Sequence, residues 1–168
     1  GIVSRVRHAA ARPGGAMSIV TLASVHGAPG VTTTALLLAS MLPDAVSLEA
    51  DLEGGVLAVR YGLGREPGLT TLAAAGQSGA SAWRAHAQSA GGVPVLVGPD
   101  SPTSTAALWR SAGERITQGL RDADATVVVD AGRLRDPVAI VAASDLVVML
   151  VHPVAEQVVA LGHALPTV

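Results

Sequence analysis

Apolar runs and their interruptions divide this chain into alternating strand-length and helix-length segments. Residues 18–23 (SIVTLA), 45–49 (AVSLE), 93–97 (VPVLV), 125–129 (ATVVV) and 146–151 (LVVMLV) are almost continuously apolar. Short runs without polar alternation predict strands buried on both faces. Thr32 to Met41 predicts a helix, and residues 56–61 a helical turn. Residues 67–76 predict another helix, with Pro67 and Gly68 at its front and Gly76 as its stop. Residues 81–88 read as a weaker helical stretch ended by Gly91-Gly92. From Ser104 onward, Trp109, Ala112, Ile116 and Leu120 recur at three and four residues, the spacing of an amphipathic helix with a Ser or Thr cap. Residues 137–143 begin a helix with proline at its first turn, and a last helix starts near Ala155. Strands alternating with helices predict an α/β domain, a parallel β-sheet flanked by helices and joined by right-handed crossovers.

In open sheets of this kind ligands collect at the carboxyl ends of the strands. The loop after the first strand, the acids Glu49 and Asp51, the acid Asp130 and the pair His152-Pro153 all fall at such ends. Their convergence predicts one site. The loop has the strand, loop, helix order in which backbone N–H groups and a helix N-terminus hold phosphate. Against the pattern G-x-x-x-x-G-K-[ST] its positions fall on Val25, Gly30, Val31 and Thr32, so the first glycine and the lysine are absent.

Composition sharpens this point. The 168 residues are 49% hydrophobic, enough for one sizeable core. The division expected is a basic extension over residues 1–16 and one domain over 17–168, with Met17 a natural start. Cysteine is absent, which excludes disulfides and thiolate metal sites. All eleven basic residues are arginines, so no lysine elsewhere can replace the missing one. Residues 1–16 carry three arginines and no acid, leaving thirteen acids against eight arginines, net −5, on the remainder. Such an arm suits an anionic membrane surface or nucleic acid, but simple solvation is the plainer reading, and an acidic body argues against nucleic acid. With no leader pattern and no apolar run near the ~18 residues a bilayer span needs, the protein is expected in the cytoplasm.

Taken in order, HGAPGVTTT, EADLEGG, PGLTTL, VVVDAG and SDLVVMLVHP make the chain resemble the MinD/ParA family of deviant Walker A P-loop ATPases from about Ser18 to Leu161. The family's loop K-G-G-x-G-K-[ST]-[ST] maps onto His26, Gly27, Ala28, Pro29, Gly30, Val31, Thr32 and Thr33. His26 then stands for the lysine that reaches a partner subunit's nucleotide, and Val31 for the lysine on the β and γ phosphates. The resemblance implies ATP held by His26, Gly27, Gly30, Thr32 and Thr33. It implies Mg²⁺ near Thr32, Asp51 and Asp130, with Asp51 as the catalytic switch acid if the site is active. Glu49 stands where a first aspartate is usual. Relatives continue past the point matching Leu161, which implies a fragment of a longer protein. The functional expectation is a degenerate ATPase with weak or no hydrolysis. It would serve as a positioning or scaffold module for chromosome, division, pilus or secretion machinery, acting with a protein partner or as a homodimer. The alternative is a functional ATP-binding switch in which an arginine or His26 replaces the lysines.

Each residue also has a structural reading. Gly27 and Gly30 make a tight turn, Thr32 is a first-turn hydroxyl, and Asp51 caps the next segment. Asp130, at the end of a wholly apolar strand, needs a partner if buried, and Arg133 is the simplest one. His26 is short and neutral by default. Trp109 reads as core, whereas for Trp83 a partner contact competes with core packing.

Overall fold

The computed structural model describes residues 2–6, 18–26, 30–76, 79–134 and 136–164. Among them seven strands share one sheet: β1 (Ile2–Val6), β2 (Ile19–Ser24), β3 (Ala45–Glu49), β4 (Gln88–Ala90), β5 (Val93–Leu96), β6 (Thr126–Arg133) and β7 (Leu146–Leu150). Their order is β1-β7-β2-β6-β3-β5-β4. The five strands from β7 to β5 are mutually parallel, and an antiparallel strand closes each edge. The helices are α1 (Val31–Met41), α2 (Leu57–Tyr61), α3 (Leu69–Ala75), α4 (Pro102–Arg121), α5 (Ala139–Ala142) and α6 (Ala155–Ala164).

The apolar runs serve two cores at once. Side chains of a strand alternate between faces, and here neither face meets water. Ile19, Ala23, Val46, Leu48, Val127 and Val129 pack with Trp109, Ile116, Leu120 and Ile140 on one side. Val20, Leu22, Ala45 and Val128 pack with Val31, Ala35 and Ala39 of α1 on the other. Each buried aliphatic side chain contributes about 1.5–3 kcal/mol of transfer free energy, and that doubled demand is what makes β2 and β6 apolar throughout. Asp145 pins the start of β2: one carboxylate oxygen accepts the N–H groups of Ser18 and Ile19 at 2.9 and 3.0 Å. Helix α4 begins two residues before the expected Ser104, capped by Ser101, whose Oγ accepts the Ser104 N–H at 3.2 Å.

Three expectations change. The helical stretch expected over 81–88 is a short 3₁₀ segment, Ala82–His86, followed by β4. Gly91-Gly92 is then a two-residue hairpin turn into β5, with φ of 59° and 90°. Positive φ at both positions is what such turns require, and glycine supplies it without strain. Trp83 is 3% exposed and its Nε1–H donates to Asp124 at 3.0 Å, which makes it core rather than a partner surface. Most of residues 1–16 lies outside the described residues, but Ile2–Val6 pairs with β7 instead of forming a loose arm. No helix of the described residues is long and apolar enough to cross a membrane.

Candidate functional site

The carboxyl ends of β2, β3 and β6 lie side by side at the centre of the sheet. Gly30, at φ 104°, delivers the chain into α1, placing Thr32 and Thr33 in its first turn. His26 is exposed on the loop, while Gly27, Ala28 and Pro29 lie outside the described residues. His152 does not line the site. It is half-buried, and its N–H donates to Gln157 of α6 at 2.7 Å.

Asp130 is 2% exposed and sits within β6, not at its end, opposite Leu22 of β2 and Glu49 of β3. Beyond it the pairing with β2 shifts register between Leu22 and Ser24. Irregularities of this kind re-aim side chains beside a ligand site. The Asp130 carboxylate accepts the Gly132 N–H at 3.1 Å and the Thr32 hydroxyl. Burial raises its pKa above the ordinary value, opposed by those two donors and by the charge of Arg60. Arg133 is thus not its partner: among the described residues no ion pair joins the two, and Asp130's needs are met by Thr32 and Gly132.

Asp51 follows β3. One of its oxygens accepts the Glu53 N–H at 2.9 Å, and the other lies against Gly132. A Cβ built on Gly132 would stand 2.0 Å from that oxygen, and Gly132 also has φ +52°. Only glycine satisfies both constraints. Burial is the main cause that raises the Asp51 pKa. The Glu53 amide and the charge of Arg133 oppose it, while the carboxylates of Asp130 and Glu53 reinforce it.

Glu49 does other work. It is 1% exposed, and its carboxylate accepts N–H groups of Val56, Leu57 and Gly98 at 2.6, 2.8 and 3.0 Å. Glu49 therefore ties α2 and the segment after β5 to β3. Burial raises its pKa despite those three donors.

A cavity of about 310 Å³ opens over these elements. It is lined by Ser24 of β2, by Gly30, Val31, Thr32 and Thr33 at the start of α1, by Asp51 and Glu53 after β3, by Arg60 of α2, and by Gly132 and Arg133 of β6. Four of the residues read from the sequence (Gly30, Thr32, Thr33 and Asp51) meet there, with Asp130 behind Thr32; Gly27 is not described, and His26 does not line the cavity. Arg60 and Arg133 are additions. No periodicity marks Arg60, and the pairing assumed for Arg133 concealed it. Among the described residues no cluster of three or more His, Asp or Glu side chains could hold a metal ion alone. One hydroxyl with flanking carboxylates nevertheless suits Mg²⁺, which completes its shell with water and substrate phosphate oxygens.

The parallel sheet, the strand-to-α1 connection and the acids at its centre define an α/β domain of P-loop NTPase-like fold. No protein-family model and no curated protein matches the chain by sequence. Solved structures are similar in fold. The chimerical protein CapA2B2 is similar at TM-score 0.52 and 18% identity, covering 74% of this chain and 57% of that one. The kinase domain of the Escherichia coli tyrosine kinase ETK is similar at TM-score 0.50 and 20% identity, covering 70% and 47%. The cell division ATPase MinD of Pyrococcus furiosus is similar at TM-score 0.50 and 15% identity, covering 72% and 52%. The chain thus spans about half the length of each.

Proposed function

We propose that this domain is a degenerate relative of the MinD/ParA ATPases that binds nucleotide phosphate weakly, hydrolyses ATP poorly or not at all, and works as a cytoplasmic positioning or scaffold module. The observation that carries the reading is Val31. It occupies the position of the phosphate-neutralising lysine, is 5% exposed, and packs with Val20, Leu22 and Ala35. A charge-assisted contact from a lysine would contribute on the order of 1.5–3 kcal/mol, and valine supplies none. Charge develops on the transferring phosphoryl group, so hydrolysis suffers more than binding. Fold likeness to MinD, a cell division ATPase, supports division machinery as one setting. Chromosome, pilus or secretion machinery fits the same module, reached through a protein partner or a second copy of the chain.

The second reading is an ATP-dependent switch with slow turnover, favoured by Asp51 lining the cavity together with Thr32, whose hydroxyl is held by the buried Asp130. A phosphate-release assay with Mg²⁺ and millimolar ATP separates the two. The expected outcome is release at the background rate, unchanged in Asp51→Ala. Turnover that Asp51→Ala abolishes would establish the switch instead.

A further inference from the structure

We propose that Arg60 and Arg133 clamp the phosphate chain of the ligand, supplying from α2 and β6 the positive charge that the α1 loop lacks. This rests on the reading of the cavity as a phosphate site. The chain has no lysine, so any fixed cation at the cavity must be arginine or histidine. Two arginines line it, one from α2 and one from β6. Among the described residues Arg65, Arg84 and Arg121 each pair with an aspartate within 4.0 Å, at Asp100, Asp124 and Asp145. Neither Arg60 nor Arg133 has a carboxylate that close among the same residues. Arg133 also keeps its Nε buried without a hydrogen-bond acceptor there. A buried guanidinium N–H left unmade is costly, and a charge-assisted contact from the same guanidinium to a phosphate in the adjoining cavity would offset that cost.

The electrostatics point the same way. Arg60 acts on Asp130 and Arg133 on Asp51 through space, so each cation stands near the acids without being consumed by them. A planar guanidinium presents paired donors that match two phosphate oxygens, whereas a lysine acts as a point charge. Two arginines on separate elements can bracket a polyanion that neither could hold alone. The shared chemistry is a chain of phosphates, from a nucleoside triphosphate or from an inorganic polyphosphate.

The test is titration calorimetry of Arg60→Gln, Arg133→Gln, the double variant and Arg60→Lys, with Mg²⁺-ATP and separately with inorganic tripolyphosphate. Each single Gln variant should weaken binding about tenfold, and the double variant should lose it, with a flatter salt dependence. Arg60→Lys should retain part of the affinity, which a purely structural role would not predict. Arg60 is exposed, so its variants report on the clamp even if Arg133→Gln fails to fold. Wild-type binding of Mg²⁺-ATP that both single variants keep within about twofold would overturn the clamp and leave the nucleotide reading standing. Arginine-dependent binding of tripolyphosphate without binding of ATP would uphold the clamp and overturn the nucleotide reading. No heat from either ligand at millimolar concentration would overturn both.

Discussion

Placing a lysine at position 31, Val31→Lys, tests whether the start of α1 has phosphate-cradle geometry. Val31 is buried among Val20, Leu22, Ala35 and Val128, yet it also borders the cavity. Losing a fully buried valine costs up to about 1.5–3 kcal/mol. Lysine recovers part of this, because its stem can cover the same apolar surface while the ammonium swings into the cavity. A net cost of about 1–2 kcal/mol is expected, which lowers the melting temperature of a domain this size by about 2–8 °C. Against that stands a charge-assisted contact of about 1.5–3 kcal/mol on phosphate, or roughly 10- to 150-fold in affinity at 1.4 kcal/mol per decade. The assay is calorimetry with Mg²⁺-ATP beside a Val31→Met control, which lengthens the side chain without charge. Tighter binding by Val31→Lys alone is the expected result. A folded Val31→Lys protein that binds no better than Val31→Met would refute the view that this helix start faces a phosphate.

The remaining predictions concern the acids. Gly132→Ala should displace the Asp51 carboxylate and destabilise by at least about 1–3 kcal/mol, since the new Cβ meets Oδ2 at 2.0 Å and φ is +52°; a melting temperature within 1–2 °C of wild type, on the order of 0.5 kcal/mol, would count against the described packing. The carboxyls of Glu49, Asp51 and Asp130 all hold their protons more tightly in the folded chain than at the ordinary 4.5, 3.8 and 3.8. Their contribution is therefore fully present below those values and is lost as pH rises through the raised folded-state values. Thermal melts of metal-free protein should show stability falling from pH ~4.5 toward neutrality, less steeply in Asp130→Asn; a profile that rises over that interval would contradict the burial of these groups.

What could be read from the sequence was whatever repeats or runs. The apolar strands around Val127–Val129 and Ile19–Leu22 announced a sheet buried on both faces, and the spacing of Trp109, Ala112, Ile116 and Leu120 announced α4. The edges were harder. β4 is three residues long, too short for a pattern, and its only signal was the Gly91-Gly92 pair, which a helix stop explains equally well. The same holds at the site. Gly30, Thr32 and Asp51 stand out by motif and by position at strand ends, so the sequence brings them together. Arg60 and Arg133 are ordinary surface types with no spacing to mark them, and only the fold of α2 and the bulged end of β6 delivers them to the cavity. Glu49 misled for the opposite reason: it sits where an acid of the site is expected, but the three amides around it arise from contacts 7 to 49 residues away in the chain.

Those three amides constrain how the domain can move. Val56 and Leu57 open the short helix that carries Arg60, and Gly98 lies just after β5. For α2 to swing outward, as a switch segment would, the buried Glu49 carboxylate would lose two of its three donors, each worth about 1.5–3 kcal/mol, and keep only the Gly98 N–H. The wall bearing Arg60 is accordingly a rigid part of the frame. Arg60 is thereby presented to the cavity from a stationary wall, its position set by the buried Glu49 carboxylate beneath the start of α2.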